Sequence, residues 1–295
     1  MKEIPLFLIE RLKNQYGEEL MKEIVKGFPK KTVTFRINHL KTTLGEIEKV
    51  LEEEAILFQK IFWFDDAFLI ENKTEEEIRL LDIYKEGKIY LQSLSSMLPV
   101  LFLDLEEGMS ILDMAAAPGG KTTEIASIYQ DKILITACEK NKIRADRLRY
   151  NIKKQGVRRA TVLESDASKL DEYFSFDSIL LDAPCSGSGT LQRENSNSYF
   201  KEELIETTKK LQKVLLKKAV QILKPGSTMI YSTCSILEEE NELQIEALLN
   251  EKLVEVVPLD FPNDIPLLPS KIFGTVVVKP TSLYEGFFIA KLRKR

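Results

Sequence analysis

From residue 110 onward, short apolar runs alternate with helical periods. "SILDMAA" leads through a glycine turn into "KTTEIASIYQ", and "ILITACE" leads into "NKIRADRLRYNIKKQG". "ATVLES" and "SILLDAP" follow, then a long helical pattern, "KEELIETTKKLQKVLLKKAVQIL", closed by "KPG". "STMIYSTC" and the helical "EEENELQIEALLNE" come next. Continuous apolar strands separated by helices of this length predict a mostly parallel sheet covered on both faces. The tail segments "KLVEVVPL", "GTVVVKP" and "GFFIAKL" lack such helices and predict antiparallel strands at one edge. Residues 1–85 read differently. Helical patterns over 5–28 and 43–54 surround the extended runs "KTVTFRINHL" and "ILFQKIFWFDDAFLIE", which predicts a small α+β domain ahead of an α/β domain over 86–295. No internal repeat interrupts either part.

Composition narrows the class. The chain has 295 residues, 44% hydrophobic and 30% charged, as a soluble globular protein does. No apolar run reaches the ~20 residues that span a bilayer. The N-terminus reads as an amphipathic helix without a signal-peptide core. Three cysteines, Cys138, Cys185 and Cys234, are too few and too scattered for a disulfide framework or a zinc site, so a reducing, cytoplasmic setting without a metal is expected. The single histidine, His39, lies far from any glycine-rich loop and reads as a surface residue. A net charge of −4 argues against a general nucleic-acid binder, yet the charge is uneven. Residues 141–159 and the terminal "KLRKR" are basic, whereas 51–55 and "LEEENE" at 237–242 hold acidic excess.

The chemistry sits at strand ends, where ligands of open parallel sheets bind. In "LDMAAAPGGKTT", Gly119 and Gly120 allow a tight turn and close ligand approach. Gly120, Lys121 and Thr122 match the second half of a phosphate-binding loop, but Ala115 stands where its first glycine belongs, which disfavours a nucleotide triphosphatase. Glu139 ends the second strand nineteen residues after Gly120, the spacing of a carboxylate that binds ribose hydroxyls. Asp166 and Asp182 end the next two strands. Each alone is explained as a helix cap or turn residue. Three together beside one glycine loop suit a cationic nucleoside cofactor such as S-adenosylmethionine. Cys138 reads as a small core hydrophobe. Cys185, followed by "SGSG", and Cys234, in "YSTCS", stand where strands give way to loops, and turn amides there are expected to favour a thiolate. Two thiols at one cofactor site suggest covalent chemistry with a separate release step.

Taken together, "DMAAAPGGKT", "DAPCSGSG" and "YSTCS", with "QSLSSMLP" ahead and "EGFFIAKL" behind, resemble the Sun (Fmu/Nop) family of RNA cytosine carbon-5 methyltransferases over residues 88–292. The segment with "FRIN" (35–38) looks like that family's small RNA-binding domain. DNA cytosine methyltransferases are the nearest chemical rival, but their Glu-Asn-Val triplet is absent. The resemblance implies a Rossmann-like class I methyltransferase fold. It makes Cys234 the nucleophile toward cytosine carbon 6, Asp182 the partner of ring nitrogen 3, and Cys185 the residue that aids proton removal and release of Cys234. It gives Ala115, Ala116, Ala117, Pro118, Gly119, Gly120 and Lys121 to the methionine part of the cofactor, Glu139 to its ribose, Asp166 to its adenine, and Arg144 to a weaker contact, with Asp182 also at the cofactor. The implied partner is RNA, ribosomal before transfer RNA, bound by a monomer with no membrane involved. A non-catalytic RNA-binding scaffold is the alternative from another class; it has no need of Asp182, Cys185 and Cys234 together.

Overall fold

The computed structural model describes residues 4–28, 32–191 and 200–295. The first three residues of the N-terminal pattern, and residue 31 at the head of the first extended run, therefore lie outside the described residues. Helix α1 (Leu6–Gly27) comes first, then β1 (Val33–Ile37), α2 (Leu44–Glu53), β2 (Phe58–Ile61), β3 (Phe64–Ile70), α3 (Glu75–Leu80), α4 (Asp82–Lys85) and β4 (Ile89–Leu91). The four strands form an antiparallel sheet in the order β2-β3-β1-β4. Apolar residues of α2, Ile47 and Leu51, pack on Phe35 and Phe68 of this sheet, whose rings stack 5.2 Å apart. Reciprocal caps between Thr43 and Glu46 and between Thr74 and Glu77 start α2 and α3.

Two features depart from the predicted small domain. Strand β4 completes its sheet beyond residue 85, because Arg36 and Tyr90 pair in register. Helix α1 leaves it altogether. Leu8, Leu12 and Ile24 are buried in the core of the larger domain, and the Tyr16 hydroxyl donates to the Ile236 carbonyl at 2.7 Å. The helix also breaks at Gly17, whose φ of 81° only glycine adopts readily.

The larger domain contains α5 (Leu94–Leu101), β5 (Ser110–Asp113), α6 (Gly120–Ile128), β6 (Leu134–Cys138), α7 (Lys142–Gln155), β7 (Ala160–Leu163), β8 (Phe176–Asp182), α8 (Glu202–Ile222), β9 (Leu223–Thr233), α9 (Glu242–Asn250), β10 (Val254–Val257), β11 (Leu267–Leu268), β12 (Val276–Val278) and β13 (Phe287–Lys294). Strands β7-β6-β5-β8-β9 run parallel, and β13 joins β9 antiparallel, followed by β12 and β11, with β10 also on β13. This is the mostly parallel sheet with an antiparallel edge that the sequence predicts. Alternate residues explain the continuous apolar runs. Leu112, Ile179, Leu181 and Tyr231 face a core shared with α1, α8 and α9, whereas Ile111, Leu180 and Ile230 face one shared with α5, α6 and α7. The "KPG" segment, expected to close α8 as a turn, instead lies within β9, which starts one residue after the helix and shifts register against β8. Strand order reverses at β5, so the crevice beyond its carboxyl end is where such a sheet opens to a ligand.

Candidate active site

That crevice is a cavity of about 330 Å³. Asp113, Ala115, Ala116, Ala117, Pro118, Gly120 and Lys121 line one side, with Asp182 and Cys234 at the ends of β8 and β9. A narrower slot adjoins it through Ala115 and is lined by Glu139, Arg144 and Asp166, with the apolar Met114, Pro184, Leu211 and Leu215 as walls. Most of the sequence-derived residues thus line these two adjoining spaces, while Cys185 stands behind Cys234 and lines neither. Gly119 lines neither part. It caps α6 with φ 108°, and a Cβ there would sit 3.0 Å from Leu148 Cδ1, so its task is to turn the chain.

Local bonding fixes the polar groups. The Asp182 carboxylate accepts from Lys121 Nζ at 2.7 Å and from Ser232 Oγ at 2.8 Å, and Lys121 also donates to Ser96. Glu139 accepts from the Asn141 amide at 2.8 Å and lies 3.3 Å from Arg144, which donates in turn to the Ala117 carbonyl. Asp166 accepts from the Ser168 amide and hydroxyl, which hold its carboxyl below the usual range. The capping role open to Asp166 from sequence is therefore real, and it coexists with a place in the slot.

The two thiols meet. Cys185 Sγ and Cys234 Sγ are 3.1 Å apart, and neither is in a disulfide. The glycines after Cys185 serve close approach. A Cβ on Gly189 would lie 2.0 Å from the Gly286 carbonyl, and the Gly189 amide donates to the Cys234 carbonyl, so the two cysteine loops touch through backbone. The expected acidifying effect of turn amides on Cys185 does not hold. Cys234, burial and the Glu240 charge together push the Cys185 thiol well above its ordinary value, against a smaller opposing contribution from the Gly187 amide. Burial likewise pushes Cys138 up to about 12, consistent with an inert core thiol. His39 bonds Asp66 at the surface, as expected.

Several residues here escaped the sequence reading. Asp113, next to Met114 in the glycine-loop motif, is buried and pushed up to about 6, while accepting from Thr122 at 2.6 Å. The "FRIN" segment does not face solvent. Arg36 is fully buried and donates to the Gly120 carbonyl at 2.8 Å, to Thr123 and to Gln92, while Asn38 bonds the carbonyls of Gly87 and Gln155. Gln92 also binds Glu124, whose carboxylate lies 3.9 Å from the Arg36 guanidinium. The small domain therefore supports the glycine loop from behind.

Burial pushes Glu124 up to about 7 despite Arg36, and its Oε1 has no hydrogen-bond partner among the described residues. An acid with a raised folded-state value binds more protons in the native state, so it subtracts stability as pH rises through the window between its unfolded and folded values. We expect the wild type to lose on the order of 2 kcal/mol more stability than Glu124→Gln between pH 5 and pH 7. Urea unfolding at both pH values measures it; parallel losses in the two proteins would show that Glu124 does not titrate in this window.

A strand order centred on β5, a glycine loop opening α6 and carboxylates at the following strand ends define the class I S-adenosylmethionine-dependent methyltransferase fold, here with Cys234 at the crevice and Cys185 behind it. The chain belongs to the RsmB/F family of ribosomal RNA methyltransferases: the family model for 16S rRNA methyltransferase RsmB/F matches residues 100–293, and that for the RsmF/B-like ferredoxin-like domain matches residues 4–75. Ribosomal RNA small subunit methyltransferase F of Shewanella amazonensis is 33% identical over 273 residues, 89% of this chain and 58% of that protein. Its counterpart in Vibrio vulnificus is 34% identical over 88% of this chain and 57% of its own length. The chain thus spans somewhat more than half the length of these relatives. A solved methyltransferase homologue from Pyrococcus horikoshii, 33% identical, superposes with a TM-score of 0.84 over 98% of this chain and 95% of its own.

The crevice fits the cofactor. The slot sets apolar walls beside the Glu139 and Asp166 carboxylates, which suits a nucleoside with ribose hydroxyls. The wider cavity carries acidic groups that suit a sulfonium cation and would repel a triphosphate.

Proposed function

We propose that this chain transfers a methyl group from S-adenosylmethionine to carbon 5 of a cytosine in ribosomal RNA, through a covalent adduct on Cys234 that Cys185 helps to release, in the cytoplasm. One observation carries this reading. Cys234 and Asp182 face the cavity that holds the glycine loop, and Cys185 stands 3.1 Å behind Cys234, on the sulfur rather than in the cavity. A scaffold would have no use for that arrangement.

When bound, the cofactor supplies an electrophilic methyl group, held by the backbone of residues 115–118 and 120 with Lys121, by Glu139 at the ribose and by Asp166 near the adenine, with Arg144 bracing the loop. Unactivated cytosine is a poor nucleophile at carbon 5. Addition of the Cys234 thiolate to carbon 6 pushes an electron pair toward carbon 5, while Asp182, backed by Lys121, stabilises or protonates ring nitrogen 3 as charge appears there. After methylation the carbon 5 proton must leave and the carbon–sulfur bond must break. Cys185 gives its proton to departing Cys234, and the strongly basic thiolate left on Cys185 takes the carbon 5 proton. One proton is released overall.

The RNA flanking the target base has a path. A groove lined by Arg79, Tyr84, Arg147, Tyr150 and Lys154 joins the catalytic cavity at Tyr90, Leu91 and Pro118. Lys154 lies 3.6 Å from the centre of the Tyr84 ring, and its neighbours Arg79 and Lys41 are also cationic. Such a groove offers cations to phosphates and rings to unstacked bases. Within the basic stretch 141–159, Arg149 is instead neutralised by Asp146 and Glu164. Replacing Tyr84 and Lys154 together by alanine is expected to weaken RNA binding roughly tenfold and to reduce its salt dependence, with cofactor affinity unchanged. Filter binding at two salt concentrations checks this, and unaltered affinity would place the RNA elsewhere.

The deciding experiment incubates the purified protein with tritium-labelled methyl donor and, separately, ribosomal and transfer RNA from cells lacking the gene. Label recovered as 5-methylcytosine in ribosomal RNA supports the reading, and label in transfer RNA alone changes the substrate. Label at another nucleotide position overturns the chemistry.

A further inference from the structure

The run 237–242 holds acidic excess in the sequence, yet its Glu240 is completely buried. It sits in the turn before α9, directly behind the Cys185 loop. Its carboxylate accepts from the Ser186 amide at 2.7 Å, the Ser186 hydroxyl at 2.5 Å and the Thr208 hydroxyl at 2.6 Å, and from Gln212 Nε2 at 3.4 Å. Gln212 also donates to the Pro184 carbonyl at 2.9 Å. The residues on both sides of Cys185 are therefore held by one buried network. Four donor groups from three residues bond the carboxylate, and among the described residues no lysine or arginine pairs with it. A carboxylate taken out of water without a cation is costly unless hydrogen bonds compensate it, as the donors from Ser186, Thr208 and Gln212 do here.

We propose that Glu240 is the positioning residue of the thiol pair: it fixes the Cys185 loop and keeps the proton shared by the two sulfurs on Cys185, leaving Cys234 as the sulfur that attacks. The inference rests on the proposed function for the roles of the two sulfurs. The ionisable groups around Cys185 are Cys234 just after β9, Tyr231 on β9 and Glu240 on the turn; α8 presents Thr208 and Gln212, both neutral. Tyr231 is itself pushed well up, chiefly by burial, so it stays a neutral phenol and adds no charge to the site. Only Cys234 and Glu240 remain to distribute the proton. The negative charge of the Glu240 carboxylate, bound to both the amide and the hydroxyl of Ser186 next to Cys185, raises the Cys185 thiol and so favours a neutral neighbour at 185.

The thiols can be titrated without RNA, so the test does not depend on the substrate. In a Cys234→Ser background, alkylation of Cys185 by iodoacetamide is followed across pH 7 to 10 by mass spectrometry of the peptide. Glu240→Gln keeps the volume and removes the charge, and should alkylate Cys185 at least threefold faster than the background at pH 8, with the pH profile moved to lower values. Thr208→Val removes one donor to the carboxylate from a separate helix, leaves its charge less compensated, and should move the profile the other way. Opposite shifts support the proposal. Equal acceleration in both variants would mean that the loop has merely loosened, and an unmoved profile in Glu240→Gln would mean that its charge does not reach Cys185; either overturns the proposal. If Glu240→Gln does not fold, the direction of the Thr208→Val shift decides. A clear opposite shift alongside a failure to methylate any cytosine would leave the Glu240 assignment standing and remove the function proposed above.

Discussion

Replacing Cys234 with alanine should reduce methyl transfer by roughly 10³-fold or more while leaving cofactor affinity within about twofold. The reason lies in what the sulfur does and what the surrounding backbone does without it. Loss of the thiolate removes the only route that makes carbon 5 nucleophilic in the proposed mechanism. The backbone at 234 is held independently. The Gly189 amide donates to its carbonyl, Thr233 bonds Asn241, and the Ser235 hydroxyl bonds Ser188, so truncation to alanine should not unmake the site. The residues proposed to hold the cofactor lie on the loop after β5 and in the slot. Single-turnover transfer from labelled donor, with calorimetric titration of S-adenosylhomocysteine, separates the two effects. Transfer within tenfold of the wild type would remove Cys234 as nucleophile. Joint loss of transfer and binding would point to collapse of the crevice.

Much of this site is readable in the chain because parallel-sheet enzymes place chemistry at strand ends, and strand ends are visible as apolar runs that stop. Glu139, Asp166, Asp182, Cys185 and Cys234 all sit there. The parts that escaped are those whose function depends on a partner distant in sequence. Arg36 lies in an extended run that looks like any half-buried strand, and nothing local says that its guanidinium crosses to the Gly120 carbonyl, 84 residues away. The separation of α1 from the small domain is invisible for the same reason. Its apolar stripe predicts that a face is buried, and only the fold shows that the covering surface includes Ile236 and Leu237. Glu240 is the sharpest case. Charge in a run of glutamates is ordinarily solvated, and Glu238 and Glu239 do pair with exposed or half-buried cations, but the turn before α9 rotates Glu240 inward onto Ser186 and Thr208.

These long-range contacts give the small domain and α1 a common consequence. The cofactor loop is supported from below by Arg36 of β1, and the loop after Cys234 is supported by Gln15 and Tyr16 of α1, which bind the Ile236 carbonyl. Both halves of the crevice therefore lean on residues from the first 40 positions of the chain. Asn38 closes the arrangement by tying the small sheet to the end of α7 through Gln155. The N-terminal part is thus hydrogen-bonded to both sides of the crevice, and the groove proposed for RNA, lined by its Arg79 and Tyr84, adjoins that crevice directly.

Cys185→Ala should trap the protein on its RNA. With Cys185 removed, Cys234 can still add to carbon 6 and the methyl group can still move, because neither step uses the second thiol. The last step does. The departing sulfur loses the proton donor 3.1 Å away, and the carbon 5 proton loses its acceptor. The burial and charge that push the Cys185 thiol upward make its thiolate a strong base, which water in the crevice replaces poorly. Adduct formation should therefore outrun release, and a slow-migrating protein–RNA band should accumulate on a denaturing gel to a large fraction of the enzyme, while multiple turnover falls by about 10²-fold or more. The Cys185→Ala/Cys234→Ala double variant supplies the control, since it should form no such band. A band that persists in the double variant would assign the adduct to another residue. Its absence from the single variant, under conditions where the wild type turns over, would mean that Cys185 acts before the methyl group is transferred, and the proton path proposed for release would have to begin elsewhere.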